Sequence, residues 1–418
     1  MMAYAERRKD DWRVCYKRPD GTWAWEPGFA TRQEALDWGR DQEADIRAGR
    51  FYDDRDGAIS FEAWAAKWLE AADVIPNTAY SYHKRIRGQL NPRWGTMTMA
   101  EIHESPLEVR KWVKDVYAAH SRNYADGIVG VFRMLMDDAV VEKLIPTSPL
   151  QARRKRGRYV RPEKDEPVFP TAVQALLLAD NARVVWDLAG YVFMLTKAYT
   201  GLRQGEMYGL RREYCHPLWP GADPDRTQRR KAAARYRDLP AIRVEWQYLY
   251  ERPTPEEAAV PVLRPPKYGS KRTVVIPVFL ADLLALLLDS HDSEWVFPSL
   301  SGVNLLLTEF STTYWRPVVE GSDARTSKLY ARPEIMPVEG MEALVPHGLR
   351  HAQKVWLDED QHAEVAKHER MGHLLQGVDG VYSHATVTME RRIASMLQKR
   401  WERSEKEKQR ALAKGARE

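Results

Sequence analysis

The sequence is poor in three things, and each shortage excludes a class. It has 2 cysteines, Cys15 and Cys215, in 418 residues. That excludes a disulfide scaffold and a Cys-rich zinc module, and it favours a reducing compartment. It has no long hydrophobic run: the stretch Phe279–Leu288 is too short to cross a bilayer and carries Asp282 inside it. The N-terminus, MMAYAERRKDDW, turns charged at once, so no secretory leader is expected. Finally, it has little net charge, +5 from 64 Lys+Arg against 59 Asp+Glu. Internal repeats and low-complexity blocks are also missing.

What is present is a chain of globular composition, 44% hydrophobic and 29% charged. Its length predicts two to four domains, at roughly 100–200 residues per domain. The charge is concentrated rather than absent. Residues 151–164 (QARRKRGRYVRPEK) hold 7 bases and 1 acid, 226–237 (RTQRRKAAARYR) hold 6 bases and no acid, and the tail 399–418 holds 8 bases and 4 acids. Dense basic runs of this kind attract polyanions, because neutralising each phosphate releases a condensed counterion. Residues 1–60 run the other way, with 11 bases against 13 acids.

The pattern along the chain is α+β and multidomain. Residues 12–18 alternate as a strand, Asp20-Gly21 signals a hairpin turn, and TWAWEPGF reads as a second strand. Thr31 and Glu34 form a T-x-x-E capping box that opens a helix to about Ala48. After a plausible linker at 53–57 comes a helical unit. Ser60 caps a helix with an apolar stripe at Phe61, Trp64, Ala65, Trp68 and Leu69. A second helix follows Asn77, a third opens at the box Ser105-Pro106-Leu107-Glu108, and a fourth runs from Ser121 to Leu144 and stops at Pro146 and Pro149. Its Trp and Tyr side chains are expected in the core. Beyond the basic stretch, helices are expected at 171–197, 279–290, 303–318, 347–359 and 387–400. Strands near 241–249, 258–263 and 272–276 are expected to form a small antiparallel sheet.

Three clusters carry chemistry. The first is Thr200-Gly201-Leu202-Arg203-Gln204-Gly205-Glu206, which lacks the Lys-Ser/Thr of a phosphate loop. The second is His347-Gly348-Leu349-Arg350-His351, where His347 and Arg350 share a helix face. The third is Gly372-His373, with Tyr382 following. His347 and His351 have a spacing that zinc uses on helices, but Gly348 stands where a metalloprotease needs Glu, and no acid lies nearby to complete the set. No metal is therefore expected.

Order, spacing and residue types together resemble the tyrosine recombinases, the phage-type integrases. The resemblance covers about residues 165–400 in its catalytic part. The helical unit resembles that family's core-site DNA-binding domain, and the first 50 residues resemble an arm-site domain, a three-stranded sheet plus helix. The division implied is an arm-site-type domain at 1–52, a core-site domain at 58–152, a basic linker at 153–165, a catalytic domain at 166–400 and a tail at 401–418. Arg203 and Arg350 would clamp the phosphate, His347 and His373 would donate to it, and Tyr382 would be the nucleophile. Pro266–Val274 resembles the family's lysine-bearing β-hairpin, with Lys267 at the matching position and Lys271 as competitor. Glu206 and His351 would support the site from behind. Arg13, Lys17, Arg18, Lys84, Arg85, Arg153, Arg154, Lys155 and Arg156 are the candidate DNA contacts.

The implied activity is metal- and ATP-independent cleavage and rejoining of DNA at specific sites, with no cofactor. The implied partners are double-stranded attachment sites, three further protomers on DNA, a host DNA-bending protein and an excisionase, in a bacterial cytoplasm. The tail is expected to pack on a neighbouring protomer. The segments 214–240 and 318–345 are longer than the family's usual pattern and read as surface insertions. A type IB topoisomerase and a catalytically silent DNA-binding regulator are the rival readings.

Overall fold

The computed structural model describes residues 3–49, 51–52, 55–150, 166–252, 254, 256–326, 331–373 and 384–415. It divides into two compact units, Met1–Val160 with Arg252–Ala258, and Arg161–Glu251 with Ala259–Glu418.

The first unit opens with a three-stranded antiparallel sheet of β1 (Tyr4–Arg8), β2 (Asp11–Lys17) and β3 (Trp23–Phe29), in the order β1-β2-β3. The Asp20-Gly21 turn forms as its residues dictate: the Asp20 carboxylate accepts from the Thr22 N–H at 2.8 Å and Gly21 takes φ +84°. Strand β1 has no alternating apolar pattern, so only the resemblance to an arm-site domain implied it. It is held by pairing with β2. Helix α1 (Arg32–Arg47) starts at the expected Thr31–Glu34 capping box. Val14 and Tyr16 are buried with Ala35 and Phe51.

Next come α2 (Phe61–Ala71), α3 (Pro76–Arg85), α4 (Asn91–Trp94), α5 (Met99–Glu104), α6 (Pro106–Ala119) and α7 (Arg122–Val141). Four of these are the expected helices, and α4 and α5 are short additions between them. Ser60 caps α2 through the Ala63 N–H. The box expected at Ser105 does not form: Ser105 closes α5 with ψ +49° and makes no side-chain cap bond. The box that does form is Thr98–Glu101, at the start of α5. The tryptophans line the core as expected, whereas Tyr117 and Tyr124, also expected there, are exposed. Phe132 on α7 lies 5.5 Å from Trp94, 5.0 Å from Trp112 and 5.9 Å from Phe61, ring centre to ring centre.

In the second unit, α8 (Ala172–Thr200) is bent at Trp186-Asp187, where φ/ψ leave the helical range. Trp186 there is buried and donates to the Pro298 carbonyl at 3.1 Å. After α9 (Gln204–Tyr208) and α10 (Arg226–Tyr236), the strands are β4 (Ala241–Val244), β5 (Gln247–Glu251), β6 (Val260–Arg264) and β7 (Arg272–Val275). They form two separate two-stranded ladders, β4-β7 and β5-β6, rather than one sheet. The remaining helices are α11 (Val278–Asp289), α12 (Arg316–Val319), α13 (Pro346–Glu359), α14 (Glu364–Met371) and α15 (Val387–Gly415). The helix expected at 303–318 is broken into a 3-10 turn, a π turn and α12. The basic run 226–237 is largely α10, capped by Asp225.

Helix α15 runs on past Arg400 and docks on its own chain. Trp401 stacks on Phe279 at 4.5 Å and 3°, and Arg400 reaches Glu359 and Asp360, each at 2.9 Å. Lys408 pairs with Asp180 at 2.5 Å. Among the described residues no helix is long and apolar enough to cross a membrane.

Phe132→Ala removes a ring shared by three aromatic neighbours. It should cost the helical unit about 3–5 kcal/mol, the usual range for a buried aromatic, read as a fall in the denaturant midpoint at unchanged slope.

Candidate active site

The second unit brings the clustered motifs together through chain reversals. Helix α8 ends at Gly201, left-handed at φ +67°, and α14 ends at Gly372, left-handed at φ +62°. A Cβ at Gly201 would sit 2.6 Å from the Met371 sulfur, and one at Gly372 would sit 2.8 Å from an Arg272 guanidinium nitrogen. Both motif glycines therefore answer a backbone and a space requirement at once.

Immediately after Gly201, Arg203 starts α9, and Glu206 on that helix is 1% exposed. The Glu206 carboxylate accepts from the Arg203 backbone N–H and from Arg203 Nη1, both at 2.8 Å. It also accepts from Arg272 Nη1 at 3.0 Å and Nη2 at 2.8 Å. Burial alone would raise its pKa, but the paired arginines outweigh it and hold the group at about 2. Arg203 then reaches the Gly372 carbonyl at 2.7 Å and the Ser270 hydroxyl at 3.3 Å.

Arg350, on α13, is 2% exposed. It donates to the Gly201 and Met371 carbonyls. Its Nη2 lies 2.9 Å from His373 Nε2. Arg203, Arg350 and His373 thus meet around Gly372. Burial, then Arg350 and Arg203, push His373 down to about 4, so the ring is neutral near pH 7. A neutral ring that accepts from Arg350 through Nε2 keeps its proton on Nδ1. His347 is lowered by burial and then by Arg350, Lys197, His351 and Arg203. Its neutral form can accept a proton.

Lys267 and Lys271 lie on the link between the two ladders, because β6 and β7 do not pair with each other. The expected hairpin is instead this connection. Lys267 is exposed in a turn over Lys267–Gly269, its ammonium 4.9 Å from the Tyr268 ring centre. Lys271 is ion-paired with Glu245. Ser270, between them, is the residue that touches Arg203.

His351 packs its ring edge-on against Phe169 at 5.0 Å. Among the described residues, no three His, Cys, Asp or Glu side chains gather in a metal-binding group. Tyr382 and the linker bases Arg153, Arg154, Lys155 and Arg156 lie outside the described residues. Of the other candidate DNA contacts, Arg13 is tied across the sheet to Glu6 at 2.9 Å, Lys17 is exposed at the end of β2, and Arg18 lies in the turn that follows. Lys84 is exposed at the end of α3, while Arg85 lies along α7, where a Cβ on Gly127 would meet its guanidinium at 2.7 Å.

Sequence reasoning gave no role to Arg272, Arg370 or Lys197. Arg370 is fully buried and donates to the Val275 carbonyl at 2.8 Å, the Tyr199 carbonyl at 2.9 Å and Glu390 at 3.1 Å. Arg272 donates to the Arg370 carbonyl at 2.8 Å. Lys197 is 1% exposed on the last turn of α8. Its signal was in the sequence: a lone charge in the apolar run Phe193-Met194-Leu195-Thr196-Lys197-Ala198-Tyr199 cannot face water.

Glu206 sets a pH-dependent share of stability. Its folded pKa is depressed, so that share is complete above the ordinary glutamate range and is lost as pH falls toward about 2. Glu206→Gln should flatten the stability curve over that acid range. At neutral pH it should cost roughly 3–5 kcal/mol, because the buried Arg272 and the half-buried Arg203 lose their counter-charge. Melting curves from about pH 2 to about pH 7 read both effects.

No family model matches the sequence, and no curated protein sequence matches it. Solved structures do match. The Tn1549 transposon integrase in complex with a circular intermediate DNA superimposes with a TM-score of 0.56 at 15% identity, over 81% of this chain and 99% of that one. The same integrase with another circular intermediate DNA gives 0.55 at 15%, over 81% and 100%. With transposon right end DNA it gives 0.52 at 15%, over 81% and 99%. The chain has the fold of the Tn1549 transposon integrase.

Proposed function

We propose that this chain is a site-specific DNA recombinase of the integrase type, which moves a phage or other mobile element by cutting and rejoining DNA through a 3′-phosphotyrosyl intermediate. The observation that carries the reading is the meeting of Arg203 and Arg350 at Gly372-His373, two guanidiniums from separate helices around one peptide. Paired guanidiniums match the charge that a phosphodiester gains in its transition state, and they supply it without a metal. The Tn1549 integrase structures contain transposon and circular intermediate DNA, which supports DNA as the substrate.

In the proposed step the Tyr382 hydroxyl oxygen bonds to phosphorus and the bond from phosphorus to the 5′-oxygen breaks. His347, neutral, takes the phenol proton, and Lys267 gives a proton to the leaving 5′-oxygen. Lys267 suits this better than Lys271, whose ammonium is held by Glu245. The phosphotyrosine conserves the diester's bond energy, so rejoining another strand needs no ATP and no cofactor. Residues 1–52 serve as the arm-site domain, 58–152 with the basic linker as the core-site clamp, and 166–400 as the catalytic domain. Four protomers act on two duplex attachment sites in a bacterial cytoplasm, with a host bending protein and an excisionase as accessories.

A pool of nicked duplexes randomised over the core tests this, because a nick lets the cleaved strand escape and traps the covalent adduct. Wild type should give a denaturant-stable protein–DNA adduct in chelator and without ATP, and Tyr382→Phe should give none. An adduct that persists in Tyr382→Phe removes that residue as nucleophile. Arg203→Ala and Arg350→Ala should retain DNA binding and lose cleavage by roughly a hundredfold or more, the scale of one lost oxyanion donor. Relaxation of supercoiled DNA without paired-site exchange would favour the topoisomerase reading.

A further inference from the structure

Behind the two arginines lies a third cation that the proposed chemistry does not use. Lys197 is 1% exposed, and its ammonium donates to the Leu202 carbonyl at 3.3 Å. Arg350 donates to the Gly201 carbonyl one residue earlier. Two cations therefore grip the two peptide carbonyls that precede Arg203. The turn is otherwise held by neutral bonds: Thr200 Oγ1 to the Thr196 carbonyl at 2.5 Å, and the Gly201 N–H to the Lys197 carbonyl at 3.1 Å.

We infer that Lys197 is a positioning residue whose protonation switches the strength of the phosphate site, adding positive charge behind Arg350 and Arg203 only while its amine is charged. The inference rests on the recombinase reading above. Among the described residues its charged surroundings are few. Arg350 on α13 opposes its charge and Glu206 on α9 favours it, while Lys197 in turn lowers His347. Glu206 is already shared by Arg203 and Arg272, so among the described residues no acid is dedicated to Lys197.

Burial, and then Arg350, push the Lys197 amine down to about 7, with Glu206 pulling the other way. Either form of the amine can donate to Leu202, so titration changes the charge and keeps the bond. A phosphate on the arginines adds negative charge nearby and draws a proton onto Lys197. The site is therefore stronger below this pKa and weaker above it. His373, at about 4, stays neutral across that interval.

Adduct formation on the nicked duplex, in single turnover at saturating DNA, tests this in wild type, Lys197→Met and Lys197→Gln. The wild-type rate should fall by roughly tenfold between about pH 6 and about pH 9, the scale of one partly screened charge coupling. Both variants should be flat, near the high-pH wild-type rate. Melting gives a second readout. A lysine with a lowered folded pKa binds fewer protons than the unfolded chain between about pH 7 and about pH 10, so wild-type stability should rise over that range. Lys197→Met should lose the rise and melt higher than wild type at about pH 6. Variants that keep the wild-type descending limb overturn the inference, and so does Lys197→Met melting lower at every pH. If neither variant folds, the wild-type limb decides: amine ionisation moves strongly with temperature, and a limb that stays fixed overturns the assignment. Absence of any wild-type adduct sinks the recombinase reading instead, and this inference with it.

Discussion

One buried carboxylate organises the site. Glu206 takes hydrogen bonds from Arg203 on one side and Arg272 on the other. A buried guanidinium without an acceptor is far more costly than any single packing contact, so each arginine fixes the next element it touches. Arg272 on β7 binds the Arg370 carbonyl, and Arg370 binds Glu390 on α15 together with the Val275 and Tyr199 carbonyls. The relay runs from α9 through β7 and α14 to α15. It crosses elements that are distant in sequence, and it holds Gly372 where Arg203 can reach it.

The same relay leaves the site electropositive. Among the described residues, Arg203, Arg350, Arg272 and Lys197 share Glu206 as their nearby acid, and the consequences appear in His347 and His373, both of which are driven toward the neutral form. A neutral imidazole can act as base or as a directed donor, whereas an imidazolium would only add to the repulsion. The partner such a field favours is an anion with several oxygens, which is what a phosphodiester offers.

The motifs were legible because each is local: Gly201 and Gly372 close helices, Thr31 and Ser60 open them, and His347 and Arg350 share a helix turn. The three-dimensional partners were not. Arg272 looks like any basic residue in a short strand until β7 is seen facing Glu206, and Arg370 looks like a surface base until its side chain is seen buried against Glu390 of α15. The expected single sheet failed for a related reason. Short strands such as Ala241–Val244 and Gln247–Glu251 show their faces in sequence but not their partners, and they pair into different ladders. Ser105 failed as a cap because α5 ends on it directly before Pro106. The run 226–237 read as a charged surface; its Tyr236 is in fact buried against Trp219, ring centres 5.7 Å apart, and Arg235 holds the Ala385 carbonyl at 3.1 Å.

The two arginines proposed to hold phosphate would serve structure and substrate together, and their donor count allows it. A guanidinium has five N–H donors in a fixed fork. Arg203 commits three of them, to Glu206, Ser270 and the Gly372 carbonyl. Arg350 commits three, to the Gly201 carbonyl, the Met371 carbonyl and His373. Among the described residues, each keeps its Nε–H and one further N–H without a partner, open to an oxygen ligand. A lysine in either place would lose the fork and could not be anchored by the same carbonyls while facing a phosphate. The backbone carbonyls that hold the arginines add no formal charge, so anchoring them costs the site none of its attraction for the anion.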